Sequence, residues 1–195
     1  MHKFLMLYFL SWLGVQPMIS HAQDATPGYE IGVYYFPGWL DDQRGAPAAK
    51  PWERIKRFPE REPLLGWYRE GDKPVIEQQI DWMHDYGLDY VVFDWFWDGR
   101  PFLDHALTAF MQAENRDKLK FSLLWANHSK VPESLPQFTA MVDYWIKHYF
   151  PRENYMRIDN KPVVFVFSQE QLRNKAKRFG WSAIDLFSLA DDMAR

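Results

Sequence analysis

The chain has 195 residues and a formal net charge of −3, with 23 basic and 26 acidic residues mixed along the sequence. Nucleic acids are bound through clustered lysines and arginines, so the lack of a basic stripe argues against a nucleic-acid partner. The lack of cysteine excludes disulfides, thiolate metal sites and a cysteine nucleophile, which leaves stability to the packing of the core.

The first 22 residues have the organisation of a secretory signal peptide. Lys3 gives a positive start, an apolar stretch follows from Phe4 to Val15, and Ser20 and Ala22 are small residues where a signal peptidase binds. We predict cleavage after Ala22 and a secreted or periplasmic product. A stable membrane anchor is not expected, because the apolar stretch is shorter than the roughly 20 residues of a spanning helix.

Four short apolar stretches rich in β-branched and aromatic residues predict four strands. They cover residues 30–36, 89–96, 120–126 and 162–167. All four are apolar along nearly their whole length, as expected for parallel strands that are covered on both faces. Helical patterns separate them, and this alternation is typical of βαβ units.

The helical patterns have apolar residues at intervals of three and four. The apolar faces are Ile76, Ile80 and Met83 in the first helix, capped by Asp72; Leu103, Ala106, Leu107, Phe110 and Met111 in the second; and Phe138, Met141, Val142, Trp145 and Ile146 in the third. A fourth helical region covers residues 170–179, breaks at Gly180, and resumes after the candidate cap Ser182 as far as Arg195.

This order of elements predicts an α/β fold of the (β/α)8 TIM-barrel type, of which the first four βα units are present. Removal of 22 of the 195 residues leaves 173, whereas a complete barrel takes roughly 250. We therefore expect residues 23–195 to be the N-terminal half of a barrel domain and the chain to be truncated. The alternative is an open doubly wound sheet, but no strand is followed by a Gly-rich phosphate loop.

In parallel barrels, functional residues follow the carboxyl ends of the strands, and here those positions are aromatic and polar. The predicted substrate-binding residues are Tyr34, Tyr35 and Trp39 after the first strand, Asp94, Trp95 and Trp97 after the second, and Asn127 and His128 after the third. The loop of about 35 residues after the first strand is too aromatic for disorder and is predicted to wall a cleft.

Each candidate also has a structural alternative. Asp94 is the main catalytic candidate, but a carboxylate at a strand end also binds loop amides. Trp95 and Trp97 should face the same side, with one packing in the barrel and the other forming a sugar platform. Asn127 and His128 suit either hydroxyl recognition or a capped loop. The histidines show no metal-ligand spacing, so no metal or cofactor is predicted.

Five ordered motifs resemble the glycoside hydrolase family 99-like group, which includes WbsX-type proteins. They are GVYYFPGW, FPEREPLLGWY, QIDWMHDYGLDYVVFDWFWD, LLWANHS and RIDNKPVVFVFS, within residues 31–195. The resemblance implies a (β/α)8 barrel that acts on glycans. Characterised family 99 enzymes are endo-acting on α-mannosides, and WbsX-like members are associated with surface polysaccharide biosynthesis.

The resemblance also implies where catalysis occurs. The key glutamates of the family lie in the later half of the barrel, in a Trp-Asn-Glu-Trp-like segment that is not found in this sequence. We therefore expect an exported glycoside hydrolase acting on mannose-containing or related polysaccharide, here as a fragment that is inactive alone. The alternatives are a polysaccharide-biosynthetic glycosyl-transfer protein and a non-catalytic glycan-binding module.

Overall fold

The structure is a computed structural model that describes residues 28–39, 51–128 and 132–195. The predicted signal peptide (1–22) and part of the long connection after the first strand lie outside these ranges. The strands are β1 Gly32–Tyr35, β2 Tyr90–Trp97, β3 Pro101–Phe102, β4 Lys120–Trp125, β5 Arg157–Ile158, β6 Lys161–Pro162 and β7 Val164–Val166.

The principal sheet is parallel, as predicted. Its strands pair in the order β1, β2, β4, β7, and all three pairings are parallel. The short β3 pairs antiparallel with the end of β2, and β5 and β6 form a separate hairpin. The four predicted strands are therefore the four parallel strands, although β7 is shorter than the apolar stretch that contains it.

Within the described ranges, five α-helices follow or connect these strands. They are α1 Lys73–Asp85, α2 His105–Gln112, α3 Leu135–His148, α4 Gln169–Arg178 and α5 Ala183–Met193, with 3₁₀ turns at Pro51–Arg54, Pro59–Arg61 and Arg116–Lys118. The predicted break at Gly180 is confirmed by its left-handed φ of 74°. The Ser182 hydroxyl accepts from the Asp185 amide, and the Asp185 carboxylate accepts from the Ser182 amide, which completes a capping box.

The hydrophobic core lies between one face of the sheet and the helices. Alternate residues of β2, namely Val91, Phe93 and Trp95, point into it and are almost fully buried. Phe93 contacts Phe110 of α2, and Trp95 contacts Trp145 of α3. Packing of large rings replaces the disulfides that the sequence cannot form.

Two predicted details of the helices are wrong. Leu103 is not part of the second helix: it lies two residues before α2, has a left-handed φ of 53°, and packs with Phe96 and Ala126. Asp72 stands at the N-cap position of α1, but its side chain makes no capping hydrogen bond. Its backbone carbonyl instead accepts from the Val75 and Ile76 amides.

Candidate functional site

The central strand β2 presents different side chains on its two faces. Side chains alternate along a strand, and paired residues of parallel neighbours point to the same side. Asp94 pairs with Leu124 of β4, which pairs with Phe165 of β7. These three residues therefore share one face, opposite the face that Trp95 turns towards the helices. We call the face that carries Asp94 the inner face.

Aromatic side chains share the inner face with Asp94. Tyr34 of β1 meets Phe165 of β7 edge to face, with ring centroids 6.1 Å apart. The two strands are separated by β2 and β4, a span of about 14 Å in a flat sheet, so their rings lean together across a curved face. Tyr34, Phe36 and Phe167 are exposed by 62%, 56% and 55%. The rings therefore offer accessible apolar surface around one carboxylate.

His128 completes this inner-face cluster, which we define as Tyr34, Phe36, Asp94, Phe96, His128, Phe165 and Phe167. The His128 ring packs against Phe167 with centroids 4.2 Å apart, and it approaches the edge of Phe96 at 6.4 Å. Partial burial raises the pKa of the Asp94 carboxyl, and the nearby His128 opposes the shift. Asp94 and His128 therefore lie near each other, towards the carboxyl ends of β2 and β4.

Trp95 and Trp97 lie on the opposite face, which corrects the expectation that they bind substrate. They do face the same side, but they are exposed by only 1% and 5% and stack on each other at 5.5 Å. The Trp95 indole donates a hydrogen bond of 3.0 Å to the Tyr149 hydroxyl. Both tryptophans pack against α3, so neither is available as a sugar platform.

Asn127 is also structural. Its side-chain amide donates to the Ser168 carbonyl, and its side-chain oxygen accepts from the Ser168 amide, both at 2.8 Å. The residue is 2% exposed, so a ligand cannot reach the amide without breaking these bonds. The alternative of a capped loop is the one that fits, and Asn127 joins the loop after β4 to the start of α4.

Tyr35 and Trp39 converge on a buried glutamate rather than on Asp94. The Glu70 carboxylate accepts hydrogen bonds from the Trp39 amide (2.8 Å) and from the Tyr35 hydroxyl (3.4 Å), and it lies 3.2 Å from Nε2 of His105. The Tyr35 hydroxyl oxygen also lies 3.0 Å from the side-chain amide of Gln79. Burial, followed by the negative charge of Glu70, raises the pKa of Tyr35.

Sequence reasoning missed Glu70 and His105, as well as the inner-face residues Phe165 and Phe167. Glu70 lies among several other glutamates of a long connection, and His105 lies in a helical pattern, so neither position had a local signal. Phe165 and Phe167 could have been found, because they alternate with Val164 and Val166 in a strand that was correctly predicted.

A cavity of about 650 Å³ lies on the other side of the sheet, between α3, β7 and α5. Its walls include Trp145, Val164 and Phe187, and Val164 belongs to the face opposite Asp94. Within the described ranges, no three side chains form a group suited to hold a metal ion. None of the described helices is both long enough and apolar enough to cross a membrane.

Comparisons with known proteins identify the fold class first. A GH99 endo-α-mannosidase from Bacteroides thetaiotaomicron, solved with bis-tris-propane, has a TM-score of 0.52 at 15% identity and covers 72% of this chain. A second structure of a GH99 endo-α-mannosidase from this organism gives 0.48 at 13% identity over 70% of the chain. The chain spans 42% and 44% of their lengths. The fold is that of part of a (β/α) barrel.

A family model then gives the family. The model described as glycosyltransferase WbsX matches residues 46–183. The chain belongs to this family, as the motifs of the sequence indicate. No curated protein matches the chain.

Proposed function

We propose that the chain forms one wall of the glycan-binding cleft of a carbohydrate-active enzyme, with Asp94 as its principal polar group. One observation carries this proposal: a partly buried carboxylate stands among exposed rings at the carboxyl end of the central parallel strand. Aromatic rings pack against the C–H faces of sugars, and a carboxylate accepts hydrogen bonds from sugar hydroxyls. Barrel enzymes bind substrate at this end of the sheet.

The proposed reaction of the whole protein is hydrolysis of a mannose-containing or related polysaccharide. Fold similarity to the GH99 endo-α-mannosidases supports this choice. Hydrolysis of a glycosidic bond commonly uses two carboxyl groups about 5 to 9.5 Å apart. Strands β1, β2, β4 and β7 place one carboxyl group, that of Asp94, on the inner face. The partner carboxyl group would come from outside these strands.

Glycosyl transfer is a second candidate, favoured by the description of the matching family model. The two reactions differ in their acceptor, which is water in hydrolysis and a sugar hydroxyl in transfer. Incubation of the full-length protein with α-1,6-mannan, with and without radiolabelled nucleotide sugars, separates them. Release of reducing ends indicates hydrolysis, whereas incorporation of label into the polymer indicates transfer.

The cleft itself is tested by Asp94→Asn. Loss of a charged hydrogen bond should weaken binding of an α-1,6-linked mannotetraose about tenfold or more, measured by calorimetry or tryptophan fluorescence. Asp117→Asn is the matched control, because this exposed residue lies three positions before β4, at the amino end of the strands. Equal affinity in Asp94→Asn and the wild type would contradict the role of Asp94, and lack of glycan binding by the wild type would contradict the cleft.

We further propose that the protein is exported and cleaved after Ala22, on the basis of the charged start and the apolar stretch of its first 22 residues. N-terminal sequencing of protein recovered from the medium or periplasm should begin at Gln23. Retention of Met1 in exported material would contradict cleavage.

A further inference from the structure

We propose that Glu70 and His105 are positioning residues that hold the stacked rings of Trp39 and Trp52 beside the cleft. We infer that this stack is a second sugar-binding platform, separate from the inner-face cluster. The choice of a sugar as ligand rests on the proposed function, whereas the positioning role does not.

The surroundings of Glu70 are unusual for a surface connection. The residue precedes α1 by three positions and is only 2% exposed. Burial of a carboxylate is unfavourable by several kcal/mol unless hydrogen-bond donors replace the lost water. The Trp39 amide and the His105 ring approach one carboxylate oxygen, and the Tyr35 hydroxyl approaches the other. Glu70 therefore joins the start and the end of the connection between β1 and α1.

His105 links this connection to the next helix. It is the first residue of α2, and its side chain is 8% exposed while lying 3.2 Å from Glu70. Its other ring nitrogen, Nδ1, is buried with no hydrogen-bond partner among the described residues. An apolar side chain would fill this space without leaving a polar atom unsatisfied. The imidazole is therefore explained by its bond to Glu70 rather than by packing.

Trp39 and Trp52 belong to a compact cluster of aromatic side chains. The rings of Trp39 and Trp52 are 4.1 Å apart and 19° from parallel, and Trp67 and Tyr68 pack edge to face against Trp52. The Trp52 indole donates to the Tyr68 carbonyl at 2.7 Å. We call these four residues the wall stack. Trp52 is buried, whereas Trp39 keeps partial exposure, so Trp39 is the residue that can meet a ligand.

The position of the wall stack favours a role in binding. Trp39 follows the carboxyl end of β1, and His105 begins the helix that follows β2. Both lie at the end of the sheet that carries Asp94, where parallel barrels bind their substrates. A long glycan that contacts the inner-face cluster would lie at the same end of the sheet as this wall. The wall stack therefore suits a sugar unit beyond those held at Asp94.

The positioning role is tested without a ligand, through the exciton couplet that stacked indoles give in circular dichroism. The difference spectrum between the wild type and Trp39→Phe isolates the contribution of the Trp39–Trp52 pair. We expect Glu70→Gln to reproduce this difference, because an amide places a donor where the carboxylate accepts. Glu60→Gln, an exposed glutamate of the same connection, should leave the spectrum unchanged.

The stacked pair Trp95 and Trp97 reports whether the core is folded, because it gives its own couplet and is enclosed by aromatic residues of α3. If Glu70→Gln also loses that signal, two His105 variants decide the question. His105→Leu should lose the Trp39–Trp52 contribution, and His105→Gln should restore it by donating to Glu70. A couplet retained in folded Glu70→Gln, or in folded His105→Leu, overturns the positioning role.

The platform is tested with the α-1,6-linked mannotetraose. We expect Trp39→Ala and Glu70→Gln to lower its affinity about tenfold, with Glu60→Gln unchanged. Binding by the wild type with equal affinity in Trp39→Ala overturns the platform and leaves the cleft at Asp94 intact. Failure of the wild type to bind overturns the proposed function and with it the sugar ligand, while the couplet still decides the role of Glu70 and His105.

Discussion

The two faces of β2 have different surroundings although they come from one segment of eight residues. On one face, Trp95 and Trp97 are enclosed by the aromatic residues of α3. On the other, Asp94 faces the rings of the inner-face cluster, of which Phe36 and Phe167 are more than half exposed. Aromatic content is high on both faces, so exposure and not residue type separates core from candidate site.

The largest expected effect is on the helix-covered face. Trp95→Ala removes a fully buried ring and its hydrogen bond to Tyr149, and should lower the free energy of unfolding by about 4 kcal/mol. Phe167→Ala is the matched change on the inner face. It should lower that free energy by under about 1 kcal/mol, because the ring is already 55% exposed. Urea denaturation measures both, and similar losses would contradict the distinction between the faces.

A smaller effect is expected at Asn127, which follows β4 at the rim of the sheet, the edge formed by the carboxyl ends of the strands. Asn127→Ala leaves the Ser168 amide without a partner and leaves the Ser168 carbonyl with the Leu172 amide alone, and should lower the free energy of unfolding by about 2 kcal/mol. Asn174→Ala, at an exposed position of α4, is the control and should be neutral or slightly stabilising in thermal unfolding. A neutral Asn127→Ala would return this residue to the binding candidates.

The smallest expected effect on stability is at Asp94, and its sign depends on pH. Because burial raises its folded pKa, the contribution of Asp94 to stability is complete below its unfolded pKa of about 3.9 and is lost as pH rises through the folded value. Asp94→Asn removes this titration. The variant should therefore gain stability relative to the wild type as pH rises from about 3 to 7, measured by chemical denaturation.

Asp185→Asn is a control of opposite sign for this pH dependence. The Ser182 backbone amide, followed by its hydroxyl, lowers the pKa of Asp185, so its stabilisation is present above its unfolded pKa and is lost as pH falls through the folded value. This variant should lose stability relative to the wild type as pH rises. The same trend in both variants would show that Asp94 is not buried as described.

Most of the fold could be predicted from the sequence, because apolar periodicity records which side of an element is buried. The four parallel strands, the break at Gly180 and the cap at Ser182 are all confirmed. The spacing between Leu103 and Leu107 predicts that both lie on one helical face, but Leu103 lies outside α2. Its burial is instead due to tertiary contact with Phe96, which spacing within one segment does not encode.

The candidate site was predicted less well, for a related reason. Alternation predicts that Trp95 and Trp97 share a face, but it does not say which face the helices cover. Asp94, Tyr34 and His128 lie together in the inner-face cluster, whereas Asn127, beside His128, is held by Ser168. Glu70 contacts Trp39, which is 31 positions away in the sequence, and His105, which is 35 positions away. No local sequence pattern indicates such distant partners.

The reciprocal bonds between Asn127 and Ser168 have a consequence for ligand binding. Asn127 is the chain neighbour of His128, and Ser168 is the chain neighbour of Phe167. The rings of His128 and Phe167 are themselves in contact. The loop after β4 and the start of α4 are thus fastened together before any ligand arrives. Under the proposed function, a ligand bound at this rim would not have to immobilise two independent loops, so less conformational entropy would be lost on binding. The side chain of Asn127 would therefore pre-organise the rim without contacting the proposed ligand.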